Sequence, residues 1–332
     1  MLQNQKPTAV VIGDALGIGP EITVKALADP RIYRACQPLL IGDRKIIEKA
    51  IHRSRLALRV HPIGSVSDGT FRYPHLDVVD LAFPQLYSLP MGKLSKLSGE
   101  AFVQWFRKAM EMAERGEVGA IAYAPLNKEA VHAAGYPFHD ELDMVKAFHP
   151  QPEPFLIVVS IAGRNRCATV PPLHASLLEA CQQLNLEAVF RSILLCDEEI
   201  RRSGISRPRI AVAGLNPHAG ESGLHGDEEV RIIGPAIEAA RARGIDAQGP
   251  FPPDTVFVKA KEKKFDGVLG MYHDQTRIAL KLLSFKKIIY TILGTPIPFV
   301  SVAHGTAYDI AGQGIADEGN FKLALRYAAR VR

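Results

Sequence analysis

Apolar residues along this 332-residue chain recur with two different periods, and the alternation between them sets out the architecture. Short unbroken runs such as Ala9-Val10-Val11-Ile12, Pro38-Leu39-Leu40-Ile41 and Val118-Gly119-Ala120-Ile121-Ala122-Tyr123 are bounded by glycine, proline or aspartate and read as buried strands. Helical spacing fills the gaps between them. The clearest case starts at Ser98, read as a cap, carries Phe102, Phe106, Ala109, Met110 and Ala113 on one face, and stops at Arg115-Gly116. Trp105 beside that stripe reads as packing. The pattern continues with strands at 155–160, 166–170, 210–214 and 265–271 and with helices at 176–184 and 227–243. Strand, helix, strand repeated in this way predicts a doubly wound α/β fold, and the length suggests about two domains. The stretch 59–90 is rich in turns and yields no chemistry.

Several strands deliver a histidine at the carboxyl end, where open α/β sheets keep their ligands. Arg209-Ile210-Ala211-Val212-Ala213-Gly214 leads into Leu215-Asn216-Pro217-His218-Ala219-Gly220-Glu221. Asp266-Gly267-Val268-Leu269-Gly270-Met271-Tyr272 leads to His273, and Cys167-Ala168-Thr169-Val170 leads to His174. Three neutral imidazoles at three strand ends suit a first-row cation. No short-range ligand spacing joins them, so capping or loop histidines are the other reading. Asn127 reads as the N-cap of a helix that stops at Gly135. Lys128 then falls in its first turn, where the helix dipole favours acids, a position that suits a ligand better than the helix. The glycines after the first strand are not spaced GxGxxG, so the Rossmann fingerprint is absent. That loop reads equally as a tight turn or as an anion cradle.

Composition changes the picture in what it excludes. The formal charge of +5 is spread along the chain, and the cluster Lys261 to Lys264 is broken by Glu262, so a solvated surface is expected rather than a nucleic-acid footprint. Four cysteines without CxxC spacing indicate neither a disulfide framework nor a cysteine metal site, and fit a reducing compartment. With neither a long apolar leader nor a run of about 20 apolar residues, the expectation is a cytoplasmic protein that makes no use of a membrane.

The run Val302-Ala303-His304-Gly305-Thr306-Ala307-Tyr308-Asp309-Ile310-Ala311-Gly312-Gln313-Gly314-Ile315-Ala316-Asp317 resembles the adenosine-binding loop of the isocitrate and isopropylmalate dehydrogenase superfamily. Further blocks are similar to the 4-hydroxythreonine-4-phosphate dehydrogenase family. They are Gly13-Asp14 with Gly17-Ile18-Gly19-Pro20-Glu21, Ala124-Pro125-Leu126-Asn127-Lys128, the His218 block, Pro253-Asp254-Thr255 and Met271-Tyr272-His273-Asp274-Gln275. The resemblance implies two α/β/α domains around a cleft, placed at about 1–139 plus 286–332 and 140–285, and a homodimer acting on a small molecule. It implies a divalent metal on His174, His218 and His273, with zinc first and cobalt, nickel or magnesium as alternatives. NAD would rest on His304, Gly305, Thr306, Ala307 and Asp317, and Lys281 matches a substrate lysine. The implied chemistry is metal-assisted hydride transfer followed by decarboxylation. Asp254 and Asp274 are candidates to orient the imidazoles or relay protons, with a helix cap or loop hydrogen bond as the plainer role.

The chain departs from that family at the phosphate end. Asp140-Glu141-Leu142-Asp143 stands where the family carries Gly-His-Thr-Glu, and the phosphate-contacting asparagine and arginine fall on Tyr290 and Phe299. Loss of a bidentate arginine removes a phosphate clamp, and an inward-facing Glu141 would repel a phosphate. These changes favour a non-phosphorylated substrate such as the terephthalate cis-dihydrodiol oxidised by a related branch, with Tyr290 and Phe299 shaping a more apolar pocket. The alternative is the pyridoxal phosphate pathway enzyme itself, with phosphate contacts from Lys128, Lys281 or Arg277. An inactive binding protein and a phosphate acyltransferase-like enzyme are the readings from other classes.

Overall fold

The computed structural model describes residues 5–138, 140–148, 157–162, 165–284, 287–295 and 297–331. Two compact units emerge: residues 1–154 with 296–330, and residues 155–295. His139, Phe285 and Lys286, where the sequence placed the changeovers, lie outside the described residues.

The first unit opens with β1 (Thr8–Val11), α1 (Gly19–Leu27), α2 (Pro30–Ala35), β2 (Pro38–Gly42), α3 (Arg44–Arg53), β3 (Arg59–Pro62), β4 (His75–Asp80), α4 (Lys96–Glu114), β5 (Ala120–Tyr123), α5 (Lys128–Ala133) and α6 (Glu141–Phe148). The second holds β6 (Ile157–Ala162), β7 (Asn165–Thr169), α7 (Leu177–Gln183), α8 (Leu186–Arg202), β8 (Arg209–Ala213), α9 (Gly234–Ala242), β9 (Asp246–Phe251), α10 (Val256–Lys261), β10 (Gly267–Gly270), α11 (His273–Ser284) and β11 (Ile288–Leu293). The chain then returns to the first unit with β12 (Phe299–Val302) and α12 (Gly319–Arg330). None of the described helices is long and apolar enough to cross a membrane.

Within the first unit the strands run β3-β4-β2-β1-β5-β12, all parallel. β1, β2 and β5 are buried at every residue, as a parallel sheet covered on both faces requires. In the second unit the order is β11-β6-β7-β10-β8-β9. β11, β6 and β7 pair antiparallel, and β7, β10, β8 and β9 pair parallel. The antiparallel edge was not visible as such in the sequence, because β11 carries no alternation: Ile288, Ile289, Thr291, Ile292 and Leu293 are all buried.

Two local expectations change. The cap of α4 is Ser95, whose hydroxyl accepts from the Leu97 amide at 3.3 Å, so the helix starts earlier than Ser98. The segment 140–143, where the sequence set an inward-facing Glu141 against a phosphate, is the start of a helix. Asp140 caps α6, accepting from the amides of Leu142 and Asp143 at 2.9 and 3.1 Å. Phe148 at the far end of α6 lies under the Arg107 guanidinium of α4, 4.8 Å from its ring centre, which ties α6 to the first unit.

The core of that unit is aromatic. Phe106 sits 5.7 Å from Phe102, 5.4 Å from Tyr123 and 5.9 Å from Phe299, ring centre to ring centre, and all four are buried. Phe299 is therefore a core residue rather than the wall of a substrate pocket. Phe106→Ala opens a cavity in this cluster, and about 3–5 kcal/mol of stability is expected to go. Exposed Gln104→Ala should stay within about 0.5 kcal/mol. Denaturant unfolding followed by the fluorescence of Trp105, the single tryptophan, measures both.

Candidate functional site

β7, β10 and β8 are parallel neighbours in the second unit, with Gly270 paired to Thr169 and Leu269 to Val212. Their carboxyl ends therefore form one edge. The segments leaving that edge carry His174, His273 and His218 respectively. A side-chain brace holds the edge together. The Gln275 amide group donates to the Gly214 carbonyl at 2.9 Å, and its oxygen accepts from the Met271 amide at 2.7 Å, joining the exits of β8 and β10. The hydroxyls of Thr276 and Thr169, both buried, meet at 2.7 Å and join α11 to the exit of β7.

His174 and His273 stand with ring centres 5.7 Å apart. An open depression of about 510 Å³ lies beside them, lined among others by Ser176, Leu177, Tyr272 and Asp274. His273 Nδ1 donates to the Asp274 carboxylate at 2.7 Å, which leaves Nε2 with a lone pair. Asp274 thus lies against the ring of its own neighbour in sequence. Asp254 is exposed and makes no hydrogen bond among the described residues.

His218 sits in an unusual segment. Residues 218–222 all have positive φ, between 42° and 77°, so five successive residues form a left-handed turn. Each non-glycine residue in that conformation costs roughly 1–2 kcal/mol. Buried Glu229 offsets the strain from below. Its carboxylate accepts from the amides of Leu215 and Asn216 at 2.8 Å each and from the Asn216 side chain at 2.9 Å. A side chain at Gly220 would bring its Cβ within 2.7 Å of that carboxylate, so only glycine fits there. The turn places Glu221 against His218, whose Nδ1 donates to it at 2.7 Å, and His225 Nε2 lies 3.6 Å from the other carboxylate oxygen. Among the described residues, the potential ligand atoms of His218, Glu221 and His225 lie within 4.8 Å of one another, whereas His174, His218 and His273 do not close to that distance as a set. The edge thus pairs His174 with His273, and the left-handed turn draws His218 to Glu221.

The donor chemistry fits a first-row divalent cation. His218 and His273 each spend Nδ1 on a carboxylate, the arrangement that fixes the tautomer and orientation of a metal-bound imidazole and raises its basicity. Glu221 was quoted in the sequence only as part of a motif. Its role depends on the left-handed turn, which the spacing does not announce.

The first unit organises the glycine-rich segment that carries His304 to Asp317. Asp14, buried at the end of β1, accepts from Ser98 at 2.5 Å and from the Tyr308 hydroxyl at 2.7 Å. Burial pushes its carboxyl above the usual range, against the pull of these bonds, and burial beside Asp14 pushes the Tyr308 hydroxyl up, which keeps it a donor. Ile18 donates to the Thr306 carbonyl at 3.0 Å. Farther along, Glu21 accepts from the amides of Gly314 and Ala316 at 3.1 and 2.8 Å, while Lys25 donates to both of their carbonyls. His304 and Asp317 are left at the surface, Asp317 accepting from Gly319 at the start of α12. Glu21 and Lys25 were not singled out as site residues, because nothing in helical spacing ties them to a segment nearly 300 positions away.

Lys128 and Glu141 form an ion pair at 3.3 Å. The carboxylate at Glu141, expected to repel a phosphate if it faced inward, is thereby paired with a cation. Leu142 follows it in α6, Tyr290 is half-buried in β11, and Lys281 is exposed on α11.

Glu221→Ala and Asp274→Ala are each expected to weaken divalent-cation affinity by about 10–100-fold, and Asp254→Ala to leave it unchanged. Competition against a chromogenic chelator reads all three.

The sequence matches the pyridoxal phosphate biosynthetic protein PdxA family over residues 34–328. It is 40% identical to a D-threonate 4-phosphate dehydrogenase of Cupriavidus necator over 325 residues, covering 97% of this chain and 96% of that one. It is 38% identical to a 4-hydroxythreonine-4-phosphate dehydrogenase of Desulforapulum autotrophicum over 330 residues, covering 99% and 96%. Among solved structures, a 4-hydroxythreonine-4-phosphate dehydrogenase from Klebsiella pneumoniae superposes with a TM-score of 0.88 at 35% identity, covering 99% of this chain and 98% of that one. A terephthalate 1,2-cis-dihydrodiol dehydrogenase from Burkholderia xenovorans is more distant, at 0.72 and 28% with 98% of each chain covered. With nearly the whole chain matched, the protein belongs to the pyridoxal phosphate biosynthetic protein PdxA family.

Proposed function

We propose that this chain is an NAD-linked, divalent-cation-dependent dehydrogenase that oxidises the secondary alcohol of a four-carbon, 4-phosphorylated hydroxy acid, working as a cytoplasmic homodimer. The observation that carries the reading is the pair of imidazoles, His218 on Glu221 and His273 on Asp274, each with Nε2 left for a cation beside a shared strand edge. His174, adjacent to His273, completes the ligand set. Bound there, zinc, cobalt or nickel would supply Lewis acidity that lowers the pKa of the substrate hydroxyl, and NAD would supply the hydride acceptor.

The chain's own residues do the rest. Glu221 and Asp274 hold the imidazole tautomers, and the Gln275 and Thr276 bonds hold the strand exits in register. Lys281 meets the substrate from α11. His304, Gly305, Thr306, Ala307 and Asp317 receive the adenosine half of NAD on a segment kept in shape by Asp14, Glu21 and Lys25. Oxidation next to a carboxylate-bearing carbon gives a β-keto acid, and its carboxylate then leaves as carbon dioxide.

A phosphorylated substrate is preferred over the diol that the sequence favoured. Two of the 140–143 acids are spoken for, Asp140 as the cap of α6 and Glu141 in its pair with Lys128, although Tyr290 and Phe299 still stand where the family's asparagine and arginine contact phosphate. The relatives at 38% and 40% identity carry names with phosphorylated substrates, and the dihydrodiol enzyme stands farther off.

NADH formation, measured with added zinc, is expected with 4-phosphohydroxy-L-threonine or D-threonate 4-phosphate, to fall at least about 100-fold with terephthalate cis-dihydrodiol, and to vanish with a chelator. Equal or better turnover of the diol would return the enzyme to the catabolic branch.

A further inference from the structure

Helix α11 begins at His273, and residues four apart along it share a face. Thr276 and Leu280 form its buried stripe, Thr276 bonded to Thr169 and Leu280 packed with Cys167, Val268 and Ile288. Ile278 and Leu282, at 59% and 84% exposure, point away. The rotation so fixed puts His273, Arg277 and Lys281 on the shoulder of the helix, one turn apart. That shoulder carries two cations beyond the histidine.

Arg277 differs from four other arginines of the second unit. Arg201, Arg209, Arg231 and Arg241 lie on carboxylates at 2.6–3.0 Å. Arg277 is half-buried, yet among the described residues neither a carboxylate nor a hydrogen-bond acceptor meets its guanidinium. Its electrostatic neighbours are the Cys167 thiol, pushed up to about 12 by burial, and the Tyr290 hydroxyl. Neither is a carboxylate. Burial pulls the guanidinium down from its ordinary value, but an arginine does not give up its proton. A partly desolvated cation without a counter-charge is unfavourable unless an anion arrives.

We infer that Arg277 anchors the terminal phosphate of the substrate, as the specificity-determining residue of the site. One turn of α11 separates it from His273, about 6 Å along the axis. The one-turn spacing keeps both residues on the same side of the helix, so a ligand held at a cation on His273 can extend toward the guanidinium. The planar guanidinium offers a phosphate two parallel donors. This supplies the bidentate clamp that is lost where Phe299 stands. The inference rests on the proposed function for the placement of the cation on His273.

The test compares wild type with Arg277→Ala and Arg277→Lys, using zinc-loaded enzyme. Arg277→Ala should raise KM for the phosphorylated substrate at least about 30-fold while KM for NAD and zinc affinity hold steady, and Arg277→Lys should recover part of the loss. With the dephosphorylated analogue, wild type and Arg277→Ala should perform alike. Equal losses on both substrates would mean that Arg277 holds the carboxylate, and an unchanged KM would mean that it holds neither; either result overturns the assignment. Binding of inorganic phosphate, titrated calorimetrically, separates this inference from the reading it rests on. Wild-type binding that Arg277→Ala abolishes supports the anchor even if neither phosphorylated substrate is oxidised, and binding that survives Arg277→Ala overturns it.

Discussion

The parallel pairing of β7, β10 and β8 is the constraint on which the candidate site depends. Parallel strands in near register end together, so whatever leaves them leaves from one edge. Backbone pairing alone would let the exits splay. Gln275 and Thr276 remove that freedom, because each is satisfied only when the neighbouring exit stands at hydrogen-bond distance. Both lie within three residues of His273. The residues that hold the site together and the residue proposed to do its chemistry are thus one continuous piece of α11.

The two units each solve a different version of the same problem. In the second, a few imidazoles must be aimed, and carboxylates next to them in sequence do the aiming. In the first, a long glycine-rich segment with little apolar surface must be kept in shape. Buried acids at the start of α1 and at the end of β1 accept its amides and the Tyr308 hydroxyl, and the Lys25 ammonium takes its carbonyls. Hydrogen bonds to buried carboxylates are stronger than neutral ones, and a segment short of hydrophobic anchors depends on them.

Much of this was legible in the chain. Unbroken apolar runs located β1, β2, β5, β8 and β10, and Asn127 was read correctly as a cap, its side chain accepting from Ala130 at 2.8 Å. The three strand-end histidines were legible because strand ends are. What escaped depended on long-range geometry. Ser98 read as a cap because serine before a helical stripe usually is one, but Ser95 caps and frees Ser98 for Asp14. Glu141 read as a carboxylate that would repel a phosphate if it faced inward, because sequence does not reveal that Lys128 comes to meet it. Glu221 went unnoticed because its reach to His218 requires backbone angles that few sequences adopt.

Those backbone angles carry an implication of their own. From residue 218 to residue 222 the main chain traces the mirror image of an ordinary right-handed turn. Chirality, rather than side-chain identity, is what the segment strains against. Residues of the opposite hand at positions 219 and 222, introduced by chemical ligation, would follow the same path without conflict between Cβ and carbonyl. The protein has assembled from L-amino acids a stretch that a mixed-chirality polymer would adopt by preference.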